Sequence, residues 1–153
     1  MTDYFKPIPY ALWRTDKAAF AEALGQSFRE TGFAVISGHP VDQRVIDENL
    51  RVTKAFFAMP DIAKMAYDGR DGGGQRGYTA FATENAKGAA KADLKEFWHT
   101  GRLLPPGSPY RETMADTPSV EEIPDFDQAT RALYDALDEM GRNLLRAIAL
   151  HLD

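Results

Sequence analysis

Apolar positions recur at helical spacing early in the chain. The face that they form consists of Phe20, Ala23, Leu24, Ser27 and Phe28. Thr15 or Asp16 is a suitable N-cap, and Gly32 stands where a left-handed glycine commonly follows a helix. The pattern therefore predicts a helix over about residues 16–31.

A short apolar run comes directly after this helix. Residues 33–36 are continuous, apolar and partly β-branched, and the sequence Ser-Gly-His-Pro at 37–40 ends the run. A run without polar alternation is typical of a strand that is covered on both faces. We therefore expect a buried strand here, preceded by an extended segment over residues 1–14.

A second helix is predicted between Asp42, as its cap, and Pro60, which stops it. Its apolar positions include Val45, Ile46, Leu50, Thr53, Phe56 and Phe57. A short helical turn is expected over 62–67, followed by a polar, glycine-rich loop over 68–76.

Two strands are predicted in the middle of the chain, at 77–81 and 94–100, with a mobile segment rich in Lys, Ala and Gly (85–92) between them. In the second strand, alternation puts Phe97 and His99 on one face and Glu96 and Trp98 on the other. Residues 101–124 contain five prolines and are expected to form a long irregular connection.

The longest amphipathic pattern lies at 126–152 and predicts a helix. Its apolar stripe consists of Phe126, Leu133, Leu137, Met140, Leu144 and Ile148. Acidic residues cluster at its start and arginines lie late, which suits the helix dipole. Because the pattern runs to the end of the chain without a cap, we expect this helix to be only half buried, with an apolar face left for a partner.

Composition excludes several classes of function. The 153 residues carry a net charge of −5, from 18 basic and 23 acidic residues, so the basic patch that a nucleic-acid-binding protein needs is absent. The chain has no cysteine, which excludes disulfides, thiolate nucleophiles and cysteine-ligated metals. No apolar run is long enough to span a membrane, and the N-terminus does not have the pattern of a signal peptide. We therefore expect a cytoplasmic protein of one domain.

Gly72, Gly74 and Gly77 fit the spacing of a dinucleotide-binding glycine motif. That motif must follow an apolar strand and open a helix. Here a charged loop precedes it and a strand-like segment follows, so a flexible loop is the favoured interpretation.

Two histidine motifs resemble iron sites by spacing alone. Glu96-x-x-His99 occurs once and on a predicted strand, whereas carboxylate-bridged di-iron sites need two such motifs on facing helices. His151-x-Asp153 closes a helix, and the remaining histidines lie far upstream. We expect no metal site and no catalytic residue within this chain.

Five segments, in order, resemble one known family. They are residues 32–39 (GFAVISGH), 54–60 (KAFFAMP) with 64–67 (KMAY), 76–78 (RGY), Glu84, and 93–102 (DLKEFWHTGR). Together they resemble the N-terminal region of the isopenicillin N synthase-like non-haem Fe(II)/2-oxoglutarate-dependent oxygenases. The resemblance covers nearly the whole chain, from about residue 15 to the end.

The resemblance implies an α+β fold: the helical and strand-bearing N-terminal section of a double-stranded β-helix (jelly-roll) oxygenase, ending before the jelly-roll core is complete. On this basis, residues 1–153 are a non-haem dioxygenase N-terminal domain. The family's iron ligands, an H-x-D…H triad, and its 2-oxoglutarate-binding arginine lie in the other, catalytic half. Fe(II) and 2-oxoglutarate are therefore implied for the complete enzyme, and neither is expected to bind this chain.

By the same resemblance, this region contributes part of the wall of a small-molecule substrate pocket. The candidate residues are Arg76, Tyr78, Phe97 and His99. The expected partner is the missing C-terminal half, or a second copy of the chain held through the 126–152 helix. The alternative is a non-catalytic module, from a truncated product or a split gene, that binds a complementary protein half.

Overall fold

The computed structural model describes residues 5–69, 74–84 and 91–153. Helices and a few short strands make up this part of the chain, as the α+β prediction requires. The helices are α1 (Leu12–Thr15), α2 (Lys17–Thr31), α3 (Gln43–Phe57), α4 (Asp61–Lys64) and α5 (Phe126–Leu152). The strands are β1 (Ile8–Pro9), β2 (Ile36–Ser37), β3 (Gly77–Thr79) and β4 (Phe97–His99), and 3-10 turns cover Met65–Tyr67 and Pro109–Glu112. None of the helices described is both long and apolar enough to cross a membrane.

The ends of α2 follow from local chemistry. The Asp16 carboxylate accepts a hydrogen bond from the Ala19 amide at 3.0 Å, so it caps the N-terminus. Gly32 has φ = 75°, and its amide donates to the Phe28 carbonyl, which closes the C-terminus. The predicted helix over 16–31 is therefore confirmed to within one residue.

The chain divides into two compact units, which we call unit one (Met1–Gln43 and Asp135–Asp153) and unit two (Arg44–Tyr134). In unit one, β1 pairs in parallel with β2, with Ile8 opposite Ile36 and Pro9 opposite Ser37. The buried core of this unit is formed by Ile8, Tyr10, Phe20, Ala21, Leu24 and Ala147. Residues 1–14 were predicted to be only extended, but the described part of this segment also contains most of α1, so the prediction is partly wrong.

The prediction of a buried strand at 33–36 is wrong in its position and its burial. The strand is Ile36–Ser37, and only Ala34 and Ile36 pack against the core of unit one. Phe33 is 67% exposed and Val35 is 43% exposed. In an extended chain, successive side chains point to opposite faces. The core of unit one therefore covers only the face that carries Ala34 and Ile36.

Unit two contains the antiparallel pair β3–β4, in which Gly77, Tyr78 and Thr79 lie opposite His99, Trp98 and Phe97. Its buried core is formed by Val52, Phe56, Tyr78, Val120, Ile123, Phe126 and Ala129. Both strands are shorter than predicted. β3 ends where the chain turns at Ala82, which has φ = 59°. Gly72 of the glycine motif and most of the segment predicted to be mobile, residues 85–90, lie outside the described residues.

The α5 helix begins and ends where its apolar pattern predicts. Met140, Leu144 and Ile148 pack against the core of unit one. Leu137 is half exposed, although the pattern places it in the inward stripe, and Leu145 is 66% exposed. The helix is therefore half buried, and the partner expected for its apolar face stays a prediction.

Candidate functional site

The β3–β4 pair has an inner face that is filled with aromatic rings. Tyr78 and Trp98 are cross-strand partners and therefore share this face. Their rings lie 5.8 Å and 4.9 Å, centroid to centroid, from Phe56 on α3. Phe126 at the start of α5 closes the cluster, 5.0 Å from Trp98. Edge-to-face packing of this kind fixes the strand pair on the helices of unit two.

A charged network lies at the edge of this aromatic cluster. The Lys64 ammonium, on a side chain only 4% exposed, lies 2.7 Å from a Glu96 carboxylate oxygen and 3.1 Å from Asp61. The Tyr78 hydroxyl donates to the same Glu96 oxygen at 2.6 Å. The network therefore joins α4 to both strands through one carboxylate.

Two pKa values are displaced within this network. Burial raises the pKa of the Tyr78 hydroxyl, and its hydrogen bond to Glu96 raises it further, to about 12. Burial lowers the pKa of Lys64, but hydrogen bonds to Glu96 and Asp61 more than offset it and leave that pKa above its usual range. At neutral pH, Lys64 is therefore charged and Tyr78 is a neutral donor.

The outer face of the strand pair carries Phe97 and His99, whose ring centroids lie 4.7 Å apart. The His99 Nδ1 atom lies 3.0 Å from the Gly74 carbonyl oxygen, which can only accept a hydrogen bond. Nδ1 is therefore protonated, and in the neutral ring the Nε2 atom is an acceptor. The His99 Nε2 atom can therefore accept a hydrogen bond from a small polar molecule.

Arg76 lies just before β3, beside the end of β4. Its guanidinium packs directly on Gly101, at a position that any larger residue would fill. Its Nη1 donates to the Gln75 carbonyl at 2.6 Å, whereas its Nε is buried and has no hydrogen-bond partner in the described part of the chain. Arg76 also lines a cavity of about 210 Å³ together with Tyr67 and Asp116. A guanidinium group that lines a cavity can bind an anion or a carbonyl oxygen through its N–H groups.

The structure separates the four residues predicted to line a pocket. Phe97 and His99 share the outer face, as alternation predicts, but Tyr78 is 2% exposed and belongs to the aromatic core. Arg76 contributes to a different cavity. Sequence reasoning missed Lys64 as a buried cation; the spacing of Asp61 and Lys64 at i and i+3 was the only local signal.

No set of side chains in the described ranges is arranged to hold iron. Within 5–69, 74–84 and 91–153, no group of three or more His, Asp or Glu residues is close enough for a metal ion. His151 accepts a hydrogen bond from Arg29 at 2.7 Å on Nε2, and its Nδ1 lies 3.1 Å from Glu22. Both ring nitrogens are therefore engaged. Within the described ranges, the residues therefore do not fit the Fe(II) ion that the resemblance implies for the complete enzyme.

Comparison with known proteins gives the family of the chain. A family model described as "non-haem dioxygenase in morphine synthesis N-terminal" matches residues 8–122. The chain belongs to this family. The match begins at β1 and includes both strand pairs, so the non-haem dioxygenase N-terminal family covers most of the residues described above.

Relatives of this non-haem dioxygenase N-terminal domain are 2-oxoglutarate-Fe(II) oxidoreductases. The 2-oxoglutarate-Fe(II) type oxidoreductase hxnY of Emericella nidulans is 26% identical over 147 residues, which is 90% of this chain and 41% of that protein. A crystal structure from Caulobacter crescentus, assigned to the 2OG-Fe(II) oxygenase family, is 47% identical, with a TM-score of 0.87 over 97% of this chain and 48% of that one. A full-length Neurospora crassa protein, solved in complex with alpha-KG, shares the fold at 19% identity, with a TM-score of 0.77 over 96% of this chain and 47% of that one. The chain thus spans about half the length of the relatives it matches.

Proposed function

We propose that these residues form the N-terminal part of an Fe(II)/2-oxoglutarate-dependent oxidoreductase that oxidises a small molecule. In this proposal the chain supports a catalytic jelly-roll half and supplies part of the pocket wall, while the catalytic half supplies the iron ligands. The observation that carries the proposal is that β1 and β2 of unit one form a sheet of only two strands in a chain of this family, so that a further strand can pair with the free edge of β2.

The outer edge of β2 is suited to accept another strand. The Val35 carbonyl accepts a hydrogen bond from Ile8 of β1 and the Ser37 carbonyl accepts one from Tyr10, just after β1, both at 2.8 Å. The backbone groups of Ile36 between them therefore point to the opposite edge. On the other side of the pair, Pro9 has no N–H to donate. A two-stranded sheet of this length is marginal by itself, which supports a further strand alongside Ile36.

The outer face of this pair is suited to a second layer. Phe33 and Val35 come just before β2 and are apolar and exposed, whereas Ala34 and Ile36 pack on the core of unit one. Burying an apolar side chain of this size contributes about 1.5–3 kcal/mol. Apolar residues on both faces of a strand are typical of a sheet that is covered on both sides. This supports a jelly-roll sheet that β2 joins.

For the pocket wall, we propose that Phe97 and His99 face the substrate with the outer side of the β3–β4 pair, while Arg76 serves the separate cavity that it lines with Tyr67 and Asp116. The His99 Nε2 atom is the polar group suited to this role, because the Gly74 carbonyl already engages Nδ1. Tyr78 acts indirectly in this proposal, because its ring and hydroxyl hold the strand pair on α4.

A chimaera tests the proposal. Residues 1–153 would replace the matching N-terminal half of the Caulobacter crescentus relative, whose catalytic half is retained. We expect the chimaera to consume 2-oxoglutarate only when Fe(II) is supplied, and the isolated chain to consume none. A folded chimaera without turnover, by circular dichroism and succinate assay, would contradict the proposal and favour the non-catalytic module.

Within the active chimaera, His99→Gln and Phe97→Leu test the pocket wall. We expect the coupling of substrate oxidation to 2-oxoglutarate consumption to change, with little loss of stability. Lys91→Gln is the matched control, because Lys91 is exposed and precedes β4. Unchanged coupling in both outer-face variants would remove Phe97 and His99 from the pocket.

A further inference from the structure

A second cavity lies within unit one, and none of the functions above uses it. Its volume is about 560 Å³, within the range of small-molecule sites. Tyr10 and Trp13 line it from the N-terminal segment, and Met140 and Asn143 line it from α5. Two aromatic rings and a thioether give it flat apolar walls that suit a planar ligand.

The mouth of the cavity is rich in positive charge. Arg14 and Lys17 both line it, against one acidic residue, Glu139. The Lys17 ammonium lies 4.9 Å from the centroid of the Trp13 ring. In the described part of the chain, neither cation forms an ion pair with a carboxylate. Both charges are therefore available to an anion, in a chain that is acidic overall.

Tyr10 adds a hydrogen-bond donor inside the cavity. Its side chain is buried, and its hydroxyl oxygen accepts a hydrogen bond from the Asn143 amide at 3.0 Å. The Asn143 carbonyl oxygen is used by Arg146, at 3.2 Å. The hydroxyl proton of Tyr10 is left to donate to a ligand oxygen, since none of the described hydrogen bonds uses it.

We propose that this cavity binds a small aromatic carboxylate. The ligand ring lies against Met140, beside the Trp13 ring that Lys17 covers, and the carboxylate is held by Arg14, Lys17 and the Tyr10 hydroxyl. A neutral planar molecule has the same stacking surface but lacks the charge, so it binds more weakly. An aromatic cation meets two positive side chains and is excluded.

The test is a titration of the full 153-residue chain with 4-methylbenzoate, followed by NMR of the two tryptophan indole N–H groups. Trp13 reports on the cavity, and Trp98 in unit two is an internal control; Trp13→Phe assigns the signals. We expect a saturable shift of Trp13 alone. 4-Methylbenzamide, which is nearly isosteric and neutral, should bind at least about tenfold more weakly, because charge-assisted hydrogen bonds are lost.

The double variant Arg14→Gln, Lys17→Gln should also bind 4-methylbenzoate at least about tenfold more weakly. Both side chains are exposed, so the fold is retained, and Lys6→Gln, Lys54→Gln is the control with the same change of charge. Three results would overturn the proposal: no saturable shift of Trp13, equal affinity for the amide, or equal loss of binding in the control variant.

Discussion

Unit two and unit one stabilise their strand pairs in different ways. In unit two, the inner face of β3–β4 packs on an aromatic cluster and is joined to α4 by the Lys64–Glu96 ion pair. In unit one, β1–β2 packs on the core through Ala34 and Ile36 and leaves Phe33 and Val35 exposed. The strand pair of unit two is therefore stabilised by contacts within that unit. The described strand pair of unit one has an edge without a further strand and an exposed apolar face.

This difference separates two roles that one family domain can have. A strand pair held by its own buried network can present side chains on its outer face at fixed positions. A strand pair with an open edge is suited to docking, because the next strand completes its backbone hydrogen bonds. In the proposed function, β3–β4 has the first role and β1–β2 has the second.

The largest expected effect comes from breaking the network in unit two. Lys64→Met removes a buried cation and leaves the partly buried Glu96 carboxylate without it, and we expect the free energy of unfolding to fall by about 3–5 kcal/mol. Lys95→Met is the control: its half-exposed ammonium pairs with Glu84 and Asp93, and the expected loss is at most about 1 kcal/mol. Urea unfolding measures both, and equal losses would show that the Lys64 network does not support β3–β4.

The turn into β3 depends on a glycine. Gly77 has φ = 80°, and a Cβ there would press on the Tyr67 carbonyl and the Pro118 ring. Gly107 has φ = 78° with open space around it, so Gly107→Ala isolates the backbone strain, about 1–2 kcal/mol. Gly77→Ala should cost about 1–3 kcal/mol more, because of overpacking. Equal unfolding free energies for the two variants would argue against a close contact between a Cβ at position 77 and the Tyr67 carbonyl or the Pro118 ring.

Alkaline pH should weaken unit two through Tyr78. Its pKa is about 12 in the folded chain, compared with about 10 in an unfolded one. Because the folded value is the higher one, this stabilisation is fully present below about pH 10 and is lost as the pH rises through 12. Lys64, whose pKa is also raised, acts in the same direction.

Two pKa units correspond to roughly 2–3 kcal/mol. Between about pH 9 and 12, the wild-type chain should therefore lose about 2 kcal/mol more unfolding free energy than Tyr78→Phe. Urea unfolding at a series of pH values measures this difference. Parallel curves for the two proteins would mean that the Tyr78 hydroxyl is not held neutral by its surroundings.

The smallest expected effect is in unit one. Val35→Thr changes an exposed methyl to a hydroxyl, and the unfolding free energy should stay within about 0.5 kcal/mol. Ile36→Thr, one residue on, faces the core and should cost about 1–3 kcal/mol. In the chimaera, where the proposal has the catalytic half cover this face, Val35→Thr should also lower the unfolding free energy. A large cost of Val35→Thr in the isolated chain would show that its face is already covered.

Local features of the fold could be predicted from the sequence. Asp16 and Gly32 mark the ends of α2 because capping depends on residues within one turn. The alternation of Glu96 and Trp98 against Phe97 and His99 follows from the pleat of a single strand.

Features that depend on distant residues could not be predicted. The burial of Tyr78 depends on the register that places it opposite Trp98, and the burial of Lys64 depends on Glu96, which is 32 residues away. The exposure of Phe33 depends on whether a second layer is present. The apolar run at 33–36 has two faces suited to burial, and the sequence pattern alone does not say what covers each of them.

Amide hydrogen exchange at Ile36 tests the central claim most directly. Its N–H lies on the open edge of β2 in the isolated chain, where we expect little protection. When residues 1–153 are joined to the catalytic half of the Caulobacter crescentus relative, the Ile36 amide should exchange at least about 100-fold more slowly, because it becomes part of a stable sheet. The amides of β3 and β4 should be protected in both proteins. Strong protection of Ile36 in the isolated chain, or none in an active chimaera, would contradict the account.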